Sequence, residues 1–169
     1  MMRLPDHNSN GKPLLVLFDG MALAYRAYFA FITRPLTNAR GENTSAVYGF
    51  MTALFQFLDH HAPTYAAVCF DTAEPTFRHK RFEAYKATRE AMPEDLVPQI
   101  GIIKELVRAF HIPQIEIPGY EADDIIGTLA RRAEKQGIDT LIVTPDKDFC
   151  QLVTDDIKLL RPSRDGNAM

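Results

Sequence analysis

Hydrophobic residues along the chain fall into short unbroken runs, separated by longer stretches in which they recur at helical spacing. Residues 14–18 contain no polar position, the pattern of a strand covered on both faces, and Asp19 and Gly20 end the run. Apolar side chains then recur three and four apart over 21–32, which predicts a helix closed by Pro35, while 36–43 reads as loop. A strongly apolar helix is expected over 45–60 and a second buried strand over 65–70, which also ends on a carboxylate, Asp71. Residues 72–98 break this rhythm. They are polar, basic and interrupted by Pro75 and Pro93, as in a mobile loop or an arch with short helices. A helix over 96–110, a short strand over 112–117 and a turn at Pro118 and Gly119 follow. The clearest helix is 121–136, with acids in its first turn, Ile125, Ile126, Leu129 and Ala130 on one face, Arg131, Arg132 and Lys135 late, and Gly137 to stop it. Residues 140–144 read as the next strand, with Pro145, Asp146, Lys147 and Asp148 at its end, and 157–160 as one more.

Strands alternating with helices predict an α/β fold: a mostly parallel central sheet with helices on both faces. In such sheets functional groups collect beyond the carboxyl ends of the strands. Asp19 and Asp71 each close a strand, Asp146 and Asp148 lie past a third, and Glu121, Asp123 and Asp124 open the helix that follows a fourth. Seven carboxylates on one sheet edge would repel one another. Divalent cations are the natural compensation, and a donor set without His or Cys selects hard ions, Mg²⁺ before Mn²⁺. Two such ions about 3.5–4 Å apart can bracket a phosphodiester. Taken singly, the same acids have ordinary explanations. Glu121, Asp123 and Asp124 suit a helix start, Asp19 a turn, and Asp148 a cap on a short helix through Leu152. Capping does not explain why four strand ends behave alike.

Length changes the picture little: 169 residues suit one domain, with 1–13 as a flexible tail and 14–169 as the core. A hydrophobic fraction of 46% and a charged fraction of 24% exclude a disordered or fibrous chain. The net charge of −3 argues against nucleic-acid binding until its distribution is considered. Between Phe77 and Arg89 the basic residues Arg78, Lys80, Arg81, Lys86 and Arg89 face one acid, Glu83. Cys69 and Cys150 make neither a metal spacing nor a disulfide framework. No stretch has the apolar length of a secretory signal or a membrane span, so a cytoplasmic protein, as a monomer and without membrane contact, is the expectation.

Several strings then stand out in order: Leu17-Phe18-Asp19-Gly20, Cys69-Phe70-Asp71, Phe77-Arg78-His79, Tyr85-Lys86-Ala87-Thr88-Arg89, Pro118-Gly119-Tyr120-Glu121-Ala122-Asp123-Asp124 and Thr144-Pro145-Asp146-Lys147-Asp148. Together they resemble the 5′-nuclease domain attached to bacterial DNA polymerase I, over about 14–161. The Glu-Ala-Asp-Asp and Asp-Lys-Asp motifs are specific in combination and weak alone. The resemblance implies a PIN-like or resolvase-like core of the flap-endonuclease superfamily, a structure-selective 5′-3′ exonuclease or flap endonuclease acting on 5′-flap, nicked or branched duplex DNA in replication and repair. It implies two Mg²⁺ ions, replaceable by Mn²⁺. Asp19, Asp71, Glu121 and Asp123 would serve the first, Asp146 and Asp148 with Asp123 the second, and Asp124 would ligate or support its neighbours. Lys86 and Arg89 would face the scissile phosphate from a basic arch at about 72–98, and Arg78 would help hold DNA. For Lys80 and Arg81 a solvated face is the preferred reading. Tyr25 and Arg26 could stack on a base and touch a phosphate, with core and surface roles equally open. Family members continue into a further acidic loop and a helix–hairpin–helix element, which are expected to be missing here, so the chain alone is expected to cut poorly or not at all.

Two other readings compete. An aspartyl-nucleophile phosphatase also places an Asp after its first strand but wants another two residues later, where this chain has Met21. A catalytically weak or inactive nuclease fold that only binds metal or DNA is the third.

Overall fold

Why the strands form is visible in their side chains, which alternate between two hydrophobic layers. The computed structural model describes residues 11–82, 84–87 and 90–162. Within these, β1 (Leu14–Asp19), β2 (Tyr65–Cys69), β3 (Gln114–Ile115), β4 (Asp139–Val143) and β5 (Ile157–Leu160) make one all-parallel sheet in the order β3-β2-β1-β4-β5. The expected mostly parallel α/β architecture is thus present. The strand expected over 112–117 pairs only at Gln114 and Ile115, an edge position beside Pro113, which has no amide hydrogen to donate.

Helices α1 (Gly20–Ala30), α2 (Ser45–His61) and α4 (Val97–Ala109) cover one layer, where Val16, Phe18, Val68 and Val143 meet Ala24, Phe50, Leu54 and Ile103. The opposite layer receives Leu17, Ala67, Cys69 and Ile142, covered by Ile125, Ile126 and Ala130 of α5 (Ala122–Lys135). The five-residue helix α3 (Phe77–Arg81) lies between β2 and α4, and a 3₁₀ helix, Lys147–Leu152, follows β4.

Strand order reverses at the centre. From β1 the chain moves outward to β2 and β3, then returns to place β4 on the other side of β1. In open α/β sheets that reversal opens a crevice beyond the strand ends. The register puts Phe18 opposite Val143 and Asp19 opposite Cys69, so the acids after β1, β2 and β4 emerge at one height.

The far foot of the basic segment is anchored in this frame. Asp95 accepts from the Tyr28 hydroxyl and the Asn43 amide, each at 2.8 Å. Buried Gln99 accepts from the Ala46 backbone N–H at 2.8 Å, supplying the cap that Thr44 does not provide to α2. Arg89 and residues 1–10 of the expected tail lie outside the described residues.

Candidate active site

β1 passes into α1 without an intervening loop. Asp19 is at once the last strand residue and the N-cap of α1, where it accepts from the Ala22 N–H at 3.1 Å. Gly20 is required there for space: a Cβ would stand 2.4 Å from the Phe70 ring and 2.9 Å from the Cys69 carbonyl. The other Asp19 oxygen accepts from the hydroxyl of fully buried Thr144 at 2.8 Å, and that hydroxyl accepts from the Asp146 N–H at 3.1 Å. One threonine therefore ties together the ends of β1 and β4. Asp146 in turn caps the 3₁₀ helix through the Asp148 N–H at 2.8 Å.

On the other side Asp71, past β2, accepts from the Ala122 N–H at 2.7 Å, and Asp124 accepts from the Glu121 N–H at 3.1 Å. Two amide hydrogens that a helix start leaves without partners are thereby served. The ordinary capping role of these acids is realised. Strands end and helices begin at the same sheet edge, so each capping acid also stands at the edge where the others emerge.

The basic segment folds down onto these acids. Arg78 on α3 makes a bidentate pair with Asp124, both contacts 2.7 Å, and stands 3.5 Å from Glu121. This guanidinium holds Asp124 below the usual carboxylate range. Buried Glu121 takes the Lys86 ammonium at 2.9 Å and the Tyr85 hydroxyl at 3.1 Å. Lys86 reaches it from a left-handed backbone, φ 57°, which for a side-chain-bearing residue costs about 1–2 kcal/mol.

The charges of Asp71 and Asp146 act on both Asp19 and Asp123. Asp19 is raised above the ordinary carboxylate value by burial first and then by Asp71 and Asp146, against the opposing hydrogen bonds of Thr144 and Ala22. Asp123 is pushed up to about 6 by removal of water on its cleft-wall side, then by Asp19, Asp71 and Asp146, with Lys86 pulling the other way. Asp123 is itself exposed at the rim, where solvent screens these charges. Among the described residues no three acidic, His or Cys side chains stand close enough together to hold an ion. Glu121, Asp71 and Asp124 have instead taken the donors that Lys86, Ala122 and Arg78 offer. Asp148 is exposed at the margin. The donor chemistry suits a hard divalent cation, because a cation would offset the burial and the neighbouring charges that raise Asp19 and Asp123.

Tyr25 and Arg26 sit on α1, where Tyr25 packs against the larger core layer and stacks on Phe29 at 6.3 Å. Sequence reasoning passed over Thr144 and Tyr85. A Thr two residues before an Asp at a strand end is the local signal that points to the former. Nothing local marks the latter.

The raised Asp123 fixes a pH dependence. Between its ordinary 3.8 and about 6, the folded chain binds more protons than the unfolded one, so this group lowers stability as pH rises through that window. Asp124 is lowered and has the opposite sign, its contribution being lost as pH falls below the ordinary value. Without divalent ions, Asp123→Asn is therefore expected to raise the melting temperature at pH 7 and to flatten its decline between pH 5 and 7. Added Mn²⁺ should stabilise the unsubstituted chain more at pH 7 than at pH 5. Scanning calorimetry of both proteins at the two pH values checks this, and identical pH profiles would contradict it.

Comparison with known proteins agrees with this geometry. Residues 14–169 match the family described as 5′-3′ exonuclease, N-terminal resolvase-like domain. The chain is 51% identical over 147 residues to DNA polymerase I of Chloroflexus aurantiacus, covering 87% of this chain and 16% of that protein. It is 46% identical over 159 residues to the thermostable DNA polymerase I of Thermus thermophilus, covering 94% and 19%. The chain thus spans less than a fifth of the length of these relatives. Among solved structures, the bacteriophage T5 5′-exonuclease with bound zinc superposes with a TM-score of 0.72 at 16% identity, over 92% of this chain and 57% of that one. A T5 flap endonuclease in complex with DNA and metal ions gives 0.69 at 15% identity, over the same shares. At that identity the likeness shows the fold.

Proposed function

Since the chain belongs to the 5′-3′ exonuclease N-terminal, resolvase-like domain family, we propose that it hydrolyses phosphodiesters of DNA at 5′ ends or flaps, with divalent cations held at the carboxylate cleft. The observation that carries this reading is the tying of the β1 and β4 ends by Thr144, which sets Asp19 and Asp146 at one sheet edge, where burial first and then the charges of Asp71 and Asp146 raise both Asp19 and Asp123. The charge of Lys86 reaches Asp123 and pulls against that rise. Asp19, Asp71, Asp123 and Asp146 would hold the ions, with Asp148 and Glu121 completing the set at the margins. Mg²⁺, or Mn²⁺ in its place, would supply an ionised water at neutral pH and neutralise charge on the phosphoryl oxygens.

The chain's own groups have separate tasks. Thr144 orients Asp19 and fixes the Asp146 backbone, so two acids from different strands keep one spacing. Lys86 rests on Glu121 and is placed to move onto a phosphoryl oxygen entering the cleft. Arg89 is assigned the same target by its place in the Tyr-Lys-Ala-Thr-Arg string. Arg78, engaged with Asp124, holds α3 against α5 and presents its remaining face to a strand.

The test is incubation of the chain with a 5′-labelled flap duplex in Mg²⁺, in excess chelator, and as Asp123→Asn. Product only in the first sample, and little of it, is expected. Release of phosphate from small monoesters would favour the phosphatase reading, and flap binding with no product would leave a DNA- and metal-binding module.

A further inference from the structure

Beside the carboxylate cleft, α5 and the 3₁₀ helix enclose an open groove of about 690 Å³. Its sign changes along its length. Asp123 and Asp148 stand at one end, and Arg132 and Lys135 at the other, with Gly127 and Leu152 between them. Gly127 narrows the floor little, since even a Cβ there would make only ordinary contact, 3.5 Å, with Leu152. Twelve residues of helix separate Asp123 from Lys135, about 18 Å along the axis at 1.5 Å per residue.

We propose that this groove is a track for the phosphate backbone of the strand being cut, with Arg132 and Lys135 neutralising phosphates that neighbour the scissile one. The proposal rests on the nuclease reading above. An acidic end that takes cations and a basic end that takes phosphates suit a polyanion fixed at one point by metal and trailing away from it. Arg131 is engaged with Glu134 at 3.0 Å, whereas Arg132 and Lys135 make no ion pair among the described residues. Cations in a last helical turn also complement the helix dipole, which accounts for their sign. It does not account for their opening into the same groove as Asp123.

Binding of a fluorescent 5′-flap duplex, followed by anisotropy across a salt series in chelator, separates the two roles. Arg132→Gln/Lys135→Gln should lower the slope of log affinity against log salt by about 2, since each phosphate contact contributes about 0.9. Lys158→Gln, exposed and outside the groove, should leave the slope unchanged. The groove variant should melt within a few degrees of the parent, because both side chains are surface groups. Equal slopes for parent and groove variant, or no detectable binding by the parent at low salt, would overturn the track. Asp123→Asn/Asp146→Asn is read in parallel. It should lose Mn²⁺-induced thermal stabilisation while binding the duplex at least as well as the parent. If it keeps the Mn²⁺ response, the metal assignment fails and the groove stands on its own slope.

Discussion

In a version extended through the family's further acidic loop and helix–hairpin–helix element, Lys86→Ala is expected to slow single-turnover cleavage of a 5′-flap duplex by about 10²-fold or more, in the range seen when one preorganised donor to a developing oxyanion is removed. Its effect on duplex affinity should be only a few-fold. The difference follows from where the ammonium sits. It is held by Glu121 at 2.9 Å on a left-handed backbone, within electrostatic reach of Asp123, and contributes one charge among many to overall binding. Its charge matters most as negative charge builds on the phosphoryl oxygens, so its loss should appear in the rate at saturation. Lys158→Ala is the control, being exposed on β5. Equal rate losses for the two variants would remove Lys86 from the reaction.

Thr144→Val should have the largest effect of any uncharged substitution near the cleft. Valine keeps the shape but leaves a buried Asp19 oxygen and a partly buried Asp146 N–H without their partner. A cost of about 1–3 kcal/mol per abandoned group is expected, visible as a lower melting temperature. The second consequence is chemical. The threonine hydroxyl is one of the groups that lower Asp19, so its loss raises that carboxyl further and moves ion binding to higher pH. Residues that support a metal ligand typically contribute about 10–100-fold in affinity, and Mn²⁺ titration by calorimetry should show a weakening of that order. Thr144→Ser restores the hydroxyl and should recover most of the affinity. A valine variant that binds Mn²⁺ like the parent would remove the positioning role.

Local pattern was enough to read most of the frame. The apolar runs beginning at Leu14 and Tyr65, the amphipathic α5 and the stop at Gly137 all follow from spacing and capping within a few residues. The acids at the ends of β1, β2 and β4 were legible for the same reason, since a strand end is a local event. Partner choice between distant segments was not. Arg78 meets Asp124 across 46 residues and Lys86 meets Glu121 across 35, and no periodicity records that an arginine expected on DNA has its fork filled by a carboxylate. Strand order escaped for a related reason: β1 and β4 both read as buried, but burial does not say which neighbours which. The left-handed Lys86 had no local mark either, because its conformation is sustained by contacts made elsewhere.

The placement of β1 between β2 and β4 also governs the order in which the chain can acquire its chemistry. Every strand pairing here is parallel, so none can form through a tight hairpin, and the pairing of Leu14 with Asp139 closes a loop of 125 residues. The entropy of closing a loop grows only slowly with its length, but the closure must precede the contacts that stabilise it, which makes such pairings late and slow. During synthesis Asp19 is made 125 residues before Thr144 and 127 before Asp146. No nascent chain that stops short of these two can bring them together with it. Until β4 pairs with β1, Asp19 stays apart from Thr144 and Asp146, so the arrangement that the proposed chemistry needs arises only with that pairing.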